Sequence, residues 1–243
     1  MSRGTLGATQ EYYDRFAETY DCGRDAGYHR LVDELELGIL RRYATGREVV
    51  EAGCGTGLLL REVAGFARSA VGVDLSRGML AAARARGLHV VQGSLTDLPL
   101  PGASADLIYS MKVLPHVAPI REALRELARV LRPGGHLVAE FYNPWSLRSL
   151  AKRVAGPGRV ATGVRESDVF TRFDTLDEAR AHLPDDLRLV DVRGVRIVTP
   201  YAAMHRWPLA GALLGRAERA LCDVPGVRRL AGFLVLVARK IDP

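Results

Sequence analysis

The chain has 243 residues, 48% hydrophobic and 26% charged, at 26.5 kDa, a balance that fits one soluble globular domain and excludes disordered, collagenous and membrane-spanning classes. Lys and Arg outnumber Asp and Glu by 34 to 28, for a net charge of +6 and a pI near 9.5. Because Lys112, Lys152 and Lys240 are the lysines, the excess is one of arginine, which a GC-rich coding bias explains as well as an anionic partner does.

No apolar run approaches the roughly 18 residues of a membrane helix, and Met1 to Thr5 lack the apolar core of a secretory signal, so a cytoplasmic location is expected. Cys22, Cys54 and Cys222 form no CxxC pair, which argues for reduced thiols and no structural metal.

In chain order, residues 1–46 read as an N-terminal helical cap with helices around 10–20 and 28–43. Residues 47–142 alternate β-rich runs (48–52, 70–74, 89–92, 106–110, 136–142) with stretches of helical periodicity (58–67, 77–86, 120–131). That alternation is the signature of βαβ units and a parallel sheet, hence an α/β fold with helices on both faces. Two late strands, within 187–199 and 231–240, are expected to close the sheet as an antiparallel pair. Two insertions interrupt the pattern: 143–173, where Pro144, Gly156, Pro157, Gly158 and Gly163 argue for irregular backbone, and 200–230. Segments at the carboxyl ends of parallel strands wall ligand sites in open α/β sheets, so both are expected to cap a substrate pocket. The whole reads as one domain.

The most informative stretch is Glu51-Ala52-Gly53-Cys54-Gly55-Thr56-Gly57, between a strand and a helix. Glycines there permit tight turns and close approach of backbone to a ligand, and the helix start offers amides to a negative group. Asp74 ends the next strand at the position where a carboxylate accepts ribose hydroxyls. A dinucleotide fingerprint would place its third glycine at position 58, which is Leu58, and Glu51 would repel a pyrophosphate. A ligand carrying an ammonium beside a carboxylate suits the mixture better.

These residues, with Val71 to Leu80, Gln92 to Leu100, Ala105 to Val117 and Arg129 to Leu137, resemble the class I S-adenosylmethionine-dependent methyltransferases, in particular the small-molecule branch that includes quinone and natural-product enzymes. The resemblance covers about residues 12–142, including a Tyr-Tyr-Asp-Arg-Phe helix similar to the one that closes over the cofactor. It implies a Rossmann-like seven-stranded sheet, mostly parallel with a C-terminal antiparallel strand, and S-adenosylmethionine as cofactor, leaving as S-adenosylhomocysteine. By position it implies that Glu51 and the turn of Gly53, Cys54, Gly55 and Gly57 hold the methionine end. Asp74 would take the ribose, Leu75 and Met79 the adenine, and Ser110, closing the fourth strand, would border the site. Leu75 and Met79 serve equally as plain core. Ser94 stands where the family commonly has an aspartate for the adenine amino group, which shifts recognition toward the Leu95 backbone or Asp97. Tyr20 and Arg30 fall where relatives close on the methionine end, although a surface arginine is the alternative for Arg30.

Methyl transfer from a sulfonium needs alignment of the nucleophile and removal of its proton. His116, after the fourth strand, is the first candidate base, with Tyr142 and His205 behind it; each is also explained as packing. The expected acceptor is a small, partly apolar molecule methylated on O, N or C. An RNA or protein methyltransferase and a non-catalytic S-adenosylmethionine-binding module are the alternatives. Arg148, Lys152, Arg153, Arg159 and Arg165 form a basic stretch without interleaved aromatics, so nucleic acid is not the expected partner. Residues 204–221 mix Trp207, Leu209 and Leu213 with arginines, a pattern for a cap helix or for peripheral membrane contact.

Overall fold

The computed structural model describes residues 3–24, 27–155, 159–161, 164–165 and 169–241. Helices α1 (Arg3–Phe16) and α2 (Gly27–Ala44) precede β1 (Glu48–Ala52), α3 (Leu58–Ala64), β2 (Ser69–Asp74), α4 (Arg77–Ala85), β3 (Val90–Gln92), β4 (Ala105–Ser110), α5 (Ile120–Val130) and β5 (Leu131–Tyr142). There follow α6 (Leu147–Ala155), a small hairpin of β6 (Arg159–Ala161) and β7 (Val164–Arg165), α7 (Leu176–Ala181), β8 (Leu187–Val195), α8 (Pro208–Leu221) and β9 (Phe233–Lys240). Seven strands form one sheet in the order β3-β2-β1-β4-β5-β9-β8. Only β9 runs against its neighbours, antiparallel to both β5 and β8. This is the mostly parallel sheet with a closing antiparallel strand that the sequence predicts.

Period-two alternation explains why the sheet is covered twice. Val50, Ala52, Ile108 and Leu137 pack with Ile120, Leu124 and Leu127 of α5 on one face. Val49, Leu107, Tyr109 and Val138 pack with Val32, Ile39 and Leu40 of α2 and Val63 of α3 on the other. In α5 the buried set Ile120, Ala123, Leu124, Leu127 and Ala128 falls at helical spacing. The order reverses between β1 and β4, and the carboxyl ends there leave the crevice where open α/β sheets bind ligands.

Three segments differ from the sequence reading. β5 starts at Leu131, not 136: the Pro133-Gly134-Gly135 break is absorbed by an irregularity opposite Ala105 and Leu107. The 143–173 insertion holds a helix, α6, because Ser146 accepts the Ser149 amide at 3.1 Å as a cap would; Gly156, Pro157, Gly158 and Gly163 lie outside the described residues. The 200–230 insertion lays α8 against α2, Gly215 meeting Leu31 and Arg219 pairing with Glu34. It supports the wall of the crevice from behind. Trp207, Leu209 and Leu213 are exposed. Among the described residues no helix is long and apolar enough to cross a membrane.

The N-terminal cap is tied down by two carboxylates. Asp14 of α1 accepts the Ser76 hydroxyl and the Gly78 amide at the start of α4, where a Cβ on residue 78 would come within 3.0 Å of the Asp14 carbonyl. Asp21 accepts the Thr56 hydroxyl at 2.7 Å and pairs with Arg86. Asp14→Ala removes the first anchor, worth about 1–2 kcal/mol for a cap-type hydrogen-bond set. Hydrogen exchange in α1 should then accelerate while the melting temperature of the core stays nearly constant; unchanged protection of α1 would show that the anchor lies elsewhere.

Candidate active site

A cavity of about 560 Å³ lies over the carboxyl ends of the central strands, under α1, α2 and residues 169–173. That is within the range of small-molecule sites, about 300–1,000 Å³. Its floor is the turn after β1. Gly53 and Cys54 both donate to the Val73 carbonyl (2.7 and 3.0 Å), so the turn is pulled toward β2. Gly53 sits at φ +83° and Gly55 at +52°, conformations glycine adopts without strain. A Cβ on Gly55 would reach into the cavity toward Met79 and Tyr20, at 3.9 and 4.0 Å.

Asp74 joins this turn to the next. Its Oδ2 accepts the Gly55 amide at 2.8 Å and its Oδ1 the Ser76 amide at 2.9 Å. Burial raises its pKa, against the pull of these two amides. Leu75, Met79, Ser94, Leu95 and Thr96 continue the wall on the same side. The Ser94 hydroxyl meets the Thr96 hydroxyl at 2.8 Å.

Near the Gly55 turn, Tyr20 and Arg24 come from the segment after α1, with the Arg24 guanidinium 4.6 Å over the Tyr20 ring. Arg24 Nε is buried without a hydrogen-bond partner. Tyr12, Tyr13, Phe16, Tyr28, His116, Tyr142, Phe173 and Phe233 make the rest largely aromatic. His116 Nδ1 lies 2.9 Å from the Phe170 carbonyl and 3.1 Å from the Thr171 hydroxyl. A carbonyl only accepts, so Nδ1 carries the proton and the basic lone pair of the neutral ring falls on Nε2. The His116 ring stands edge-on to Tyr142, 5.7 Å between centroids.

A buried ionic cluster adjoins the floor, its Lys112 reaching the cavity lining. Lys112, in the left-handed region at φ +61°, follows β4 and reaches Asp33 and Glu36 of α2 at 3.1 and 2.8 Å. Glu36 and Glu140 are fully buried, and burial pushes both carboxyls above their ordinary range. For Lys112 burial works the other way, but the Glu36 and Asp33 charges outweigh it and raise its pKa. Glu51 is 4% exposed, accepts the Tyr109 hydroxyl at 2.9 Å, and is likewise raised by burial.

The structure thus brings together Tyr20, Gly53, Gly55, Asp74, Leu75, Met79, Ser94, Leu95, His116 and Tyr142 around one cavity. Glu51 lies under it. Cys54 packs with Leu60 and Leu80 behind the turn, Gly57 starts α3 with Leu88 filling its Cβ position, and Ser110 turns its hydroxyl onto the Ala52 carbonyl. Arg30 is exposed and paired with Glu34, away from the cavity. His205 sits behind Tyr28, 5.7 Å between rings. Sequence reading passed over Arg24, Lys112 and Arg196, since arginines and lysines on a chain this basic carry no mark of burial. Among the described residues no cluster of His, Cys, Asp or Glu is arranged to hold a metal.

A family model described as a methyltransferase domain matches residues 50–139. The malonyl-[acyl-carrier protein] O-methyltransferase of Serratia marcescens is 31% identical over 194 residues, covering 75% of this chain and 75% of the relative. The ubiquinone biosynthesis O-methyltransferase of Bradyrhizobium sp. is 28% identical over 239 residues, 86% of this chain and 92% of its own length. In fold, the crystal structure of an S-adenosylmethionine-dependent methyltransferase from Thermotoga maritima superposes with a TM-score of 0.69 at 19% identity, covering 96% of this chain and 99% of that one.

The ionic cluster yields a stability prediction. Lys112→Met leaves Glu36 and Glu140 without their cation, a break that costs about 3–5 kcal/mol. Both carboxyls titrate above their unfolded values, so the folded chain holds protons that the unfolded chain releases, and stability falls as pH rises. The denaturation midpoint of the variant should therefore drop further below wild type at pH 8 than at pH 5. An equal loss at both pH values would remove the carboxyls from the account.

Proposed function

Because the chain belongs to the S-adenosylmethionine-dependent methyltransferases, we propose that the cavity holds S-adenosylmethionine at its Asp74 end and a small, partly apolar acceptor at its aromatic end. The cradle fits such a cofactor: the floor at Gly55 is open where any side chain would intrude, and Arg24 Nε is a buried donor with no partner in the protein. When bound, S-adenosylmethionine supplies an electrophilic methyl group on sulfur.

The chain's own residues do the remaining work. Each Asp74 oxygen holds one backbone amide and keeps capacity to accept a ribose hydroxyl. Leu75, Met79 and Leu95 form an apolar slot for the adenine, with Ser94 and Thr96 as its polar edge. Arg24 takes the methionine carboxylate. Glu51, under the turn, provides negative charge behind the ammonium without lining the wall, and a cation arriving near it opposes the rise that burial causes. His116, oriented by the Phe170 carbonyl, accepts the acceptor's proton at Nε2. Tyr142 shapes the acceptor space beside it, while His205 stands behind the lining, against Tyr28 and Thr199.

The observation that carries the small-molecule reading is the aromatic lining of the cavity, contributed by Tyr12, Tyr28, Tyr142, Phe173 and Phe233. The Serratia and Bradyrhizobium relatives are named for acyl-carrier-protein-bound malonyl and quinone-pathway substrates, which agrees with a small acyl or aromatic acceptor. Incubating the protein with methyl-labelled cofactor and cell extract should place the label in the low-molecular-mass pool. Label confined to RNA or protein would overturn the reading, and no transfer despite cofactor binding would favour a non-catalytic module.

Asp74→Ala tests the cofactor end. Losing its hydrogen bonds should weaken S-adenosylhomocysteine binding by about 1.5–3 kcal/mol, read by calorimetry on a variant whose circular dichroism matches wild type. Unchanged affinity would remove Asp74 from the site.

A further inference from the structure

Arg196 is a cation built into the acceptor end of the cavity. It occupies the left-handed region at φ +61° directly after β8. Its Nε donates to the Thr199 carbonyl at 3.0 Å and its Nη2 to the Pro200 carbonyl at 2.9 Å, so the guanidinium is strapped by its own loop. It lies 4.6 Å over the Tyr28 ring and 6.0 Å from the centroid of Phe233. Among the described residues no carboxylate lies within 4.0 Å of it. Glu218, whose field reaches Arg196, is engaged by the Ile197 and Val198 amides at 2.7 and 3.0 Å.

Arg148 approaches from α6 on the other side. Its guanidinium lies 5.3 Å from the Tyr142 ring and 5.6 Å from Phe233, so both cations stand within 6.0 Å of one phenylalanine ring. We infer that Arg196, assisted by Arg148, forms an anion subsite, and that the acceptor is an apolar or aromatic acid whose carboxylate docks there. This rests on the proposal that the aromatic end receives the acceptor.

Three physical points favour it over a purely structural arginine. Partly burying a guanidinium without a paired counterion costs free energy that cation–π contacts and carbonyl hydrogen bonds offset only in part; burial lowers the pKa of Arg196, against the opposing pull of Tyr28 and Glu218. The field of Arg148 reaches Arg196 and opposes its charge, so the potential at this end of the cavity is positive. The planar fork of arginine also matches a carboxylate geometrically. Two guanidiniums would draw charge from that carboxylate, so it serves as an anchor, and the nucleophilic atom lies toward His116 across Tyr142.

The test is calorimetry on the full chain saturated with S-adenosylhomocysteine, using matched pairs: 3-phenylpropanoate against 3-phenylpropanamide, and hexanoate against hexanamide. The acids should bind at least about tenfold more tightly than the amides, as a charge-assisted pair predicts. Arg196→Gln should bring that ratio near one while S-adenosylhomocysteine affinity holds, and Arg196→Lys should restore part of it. Should Arg196→Gln fail to fold, Arg148→Gln, on a different element, must still lower the ratio. Equal binding of acid and amide by wild type would overturn the inference, as would an acid preference that survives Arg196→Gln, or no saturable binding of either acid up to about 10 mM. If S-adenosylhomocysteine itself gives no heat, the cofactor proposal fails separately, and the acid-to-amide ratio measured on the ligand-free chain still decides the anion subsite.

Discussion

The Asp74 carboxylate holds two turns that would otherwise drift apart. One oxygen binds the amide of Gly55 in the turn after β1, and the other binds Ser76 at the start of α4. Because Ser76 also caps α4 and donates to Asp14 of α1, the same few atoms fix the cavity floor, the adjoining helix and the helical lid. Each of these groups is partly or fully buried, where an unmade hydrogen bond is expensive, so the arrangement has little freedom to relax. A ligand that meets Asp74 meets a preorganised acceptor.

Charge is segregated about this crevice in a consistent way. Carboxylates gather beneath the floor, with Glu36, Glu51, Glu140 and Asp33 around Lys112. Arginines gather on the walls: Arg24 at one end, Arg148 and Arg196 at the other. Between them runs an aromatic lining. Such a layout suits a ligand set that carries a cation near the floor and anions at both extremities, and it leaves the middle largely apolar.

Much of this was legible in the sequence, for identifiable reasons. Period-two and helical spacing gave the alternating core, and the glycine turn with Asp74 marked residues that the fold brings to one cavity, because that backbone conformation demands glycine. Other features were hidden. α6 was obscured because its Ser146 cap sits among prolines and glycines, and β5 was shortened because Pro133-Gly134-Gly135 reads as a break when it is a bulge in a continuous strand. Arg30 and Arg24 are both arginines on the N-terminal cap; only the fold shows that the first faces solvent and the second the cavity. The aromatic end of the cavity is built from residues brought together from α1, α2, α6 and the loop after β8, and no local pattern records that convergence.

The most direct test of the account is a crystal structure of the chain with S-adenosylhomocysteine. The account predicts the ribose hydroxyls within hydrogen-bonding distance of Asp74, the homocysteine carboxylate on Arg24, and the thioether sulfur facing the chamber bounded by His116 and Tyr142. A ligand bound elsewhere on the molecule, or one in the cavity whose ribose makes no contact with Asp74, would contradict it.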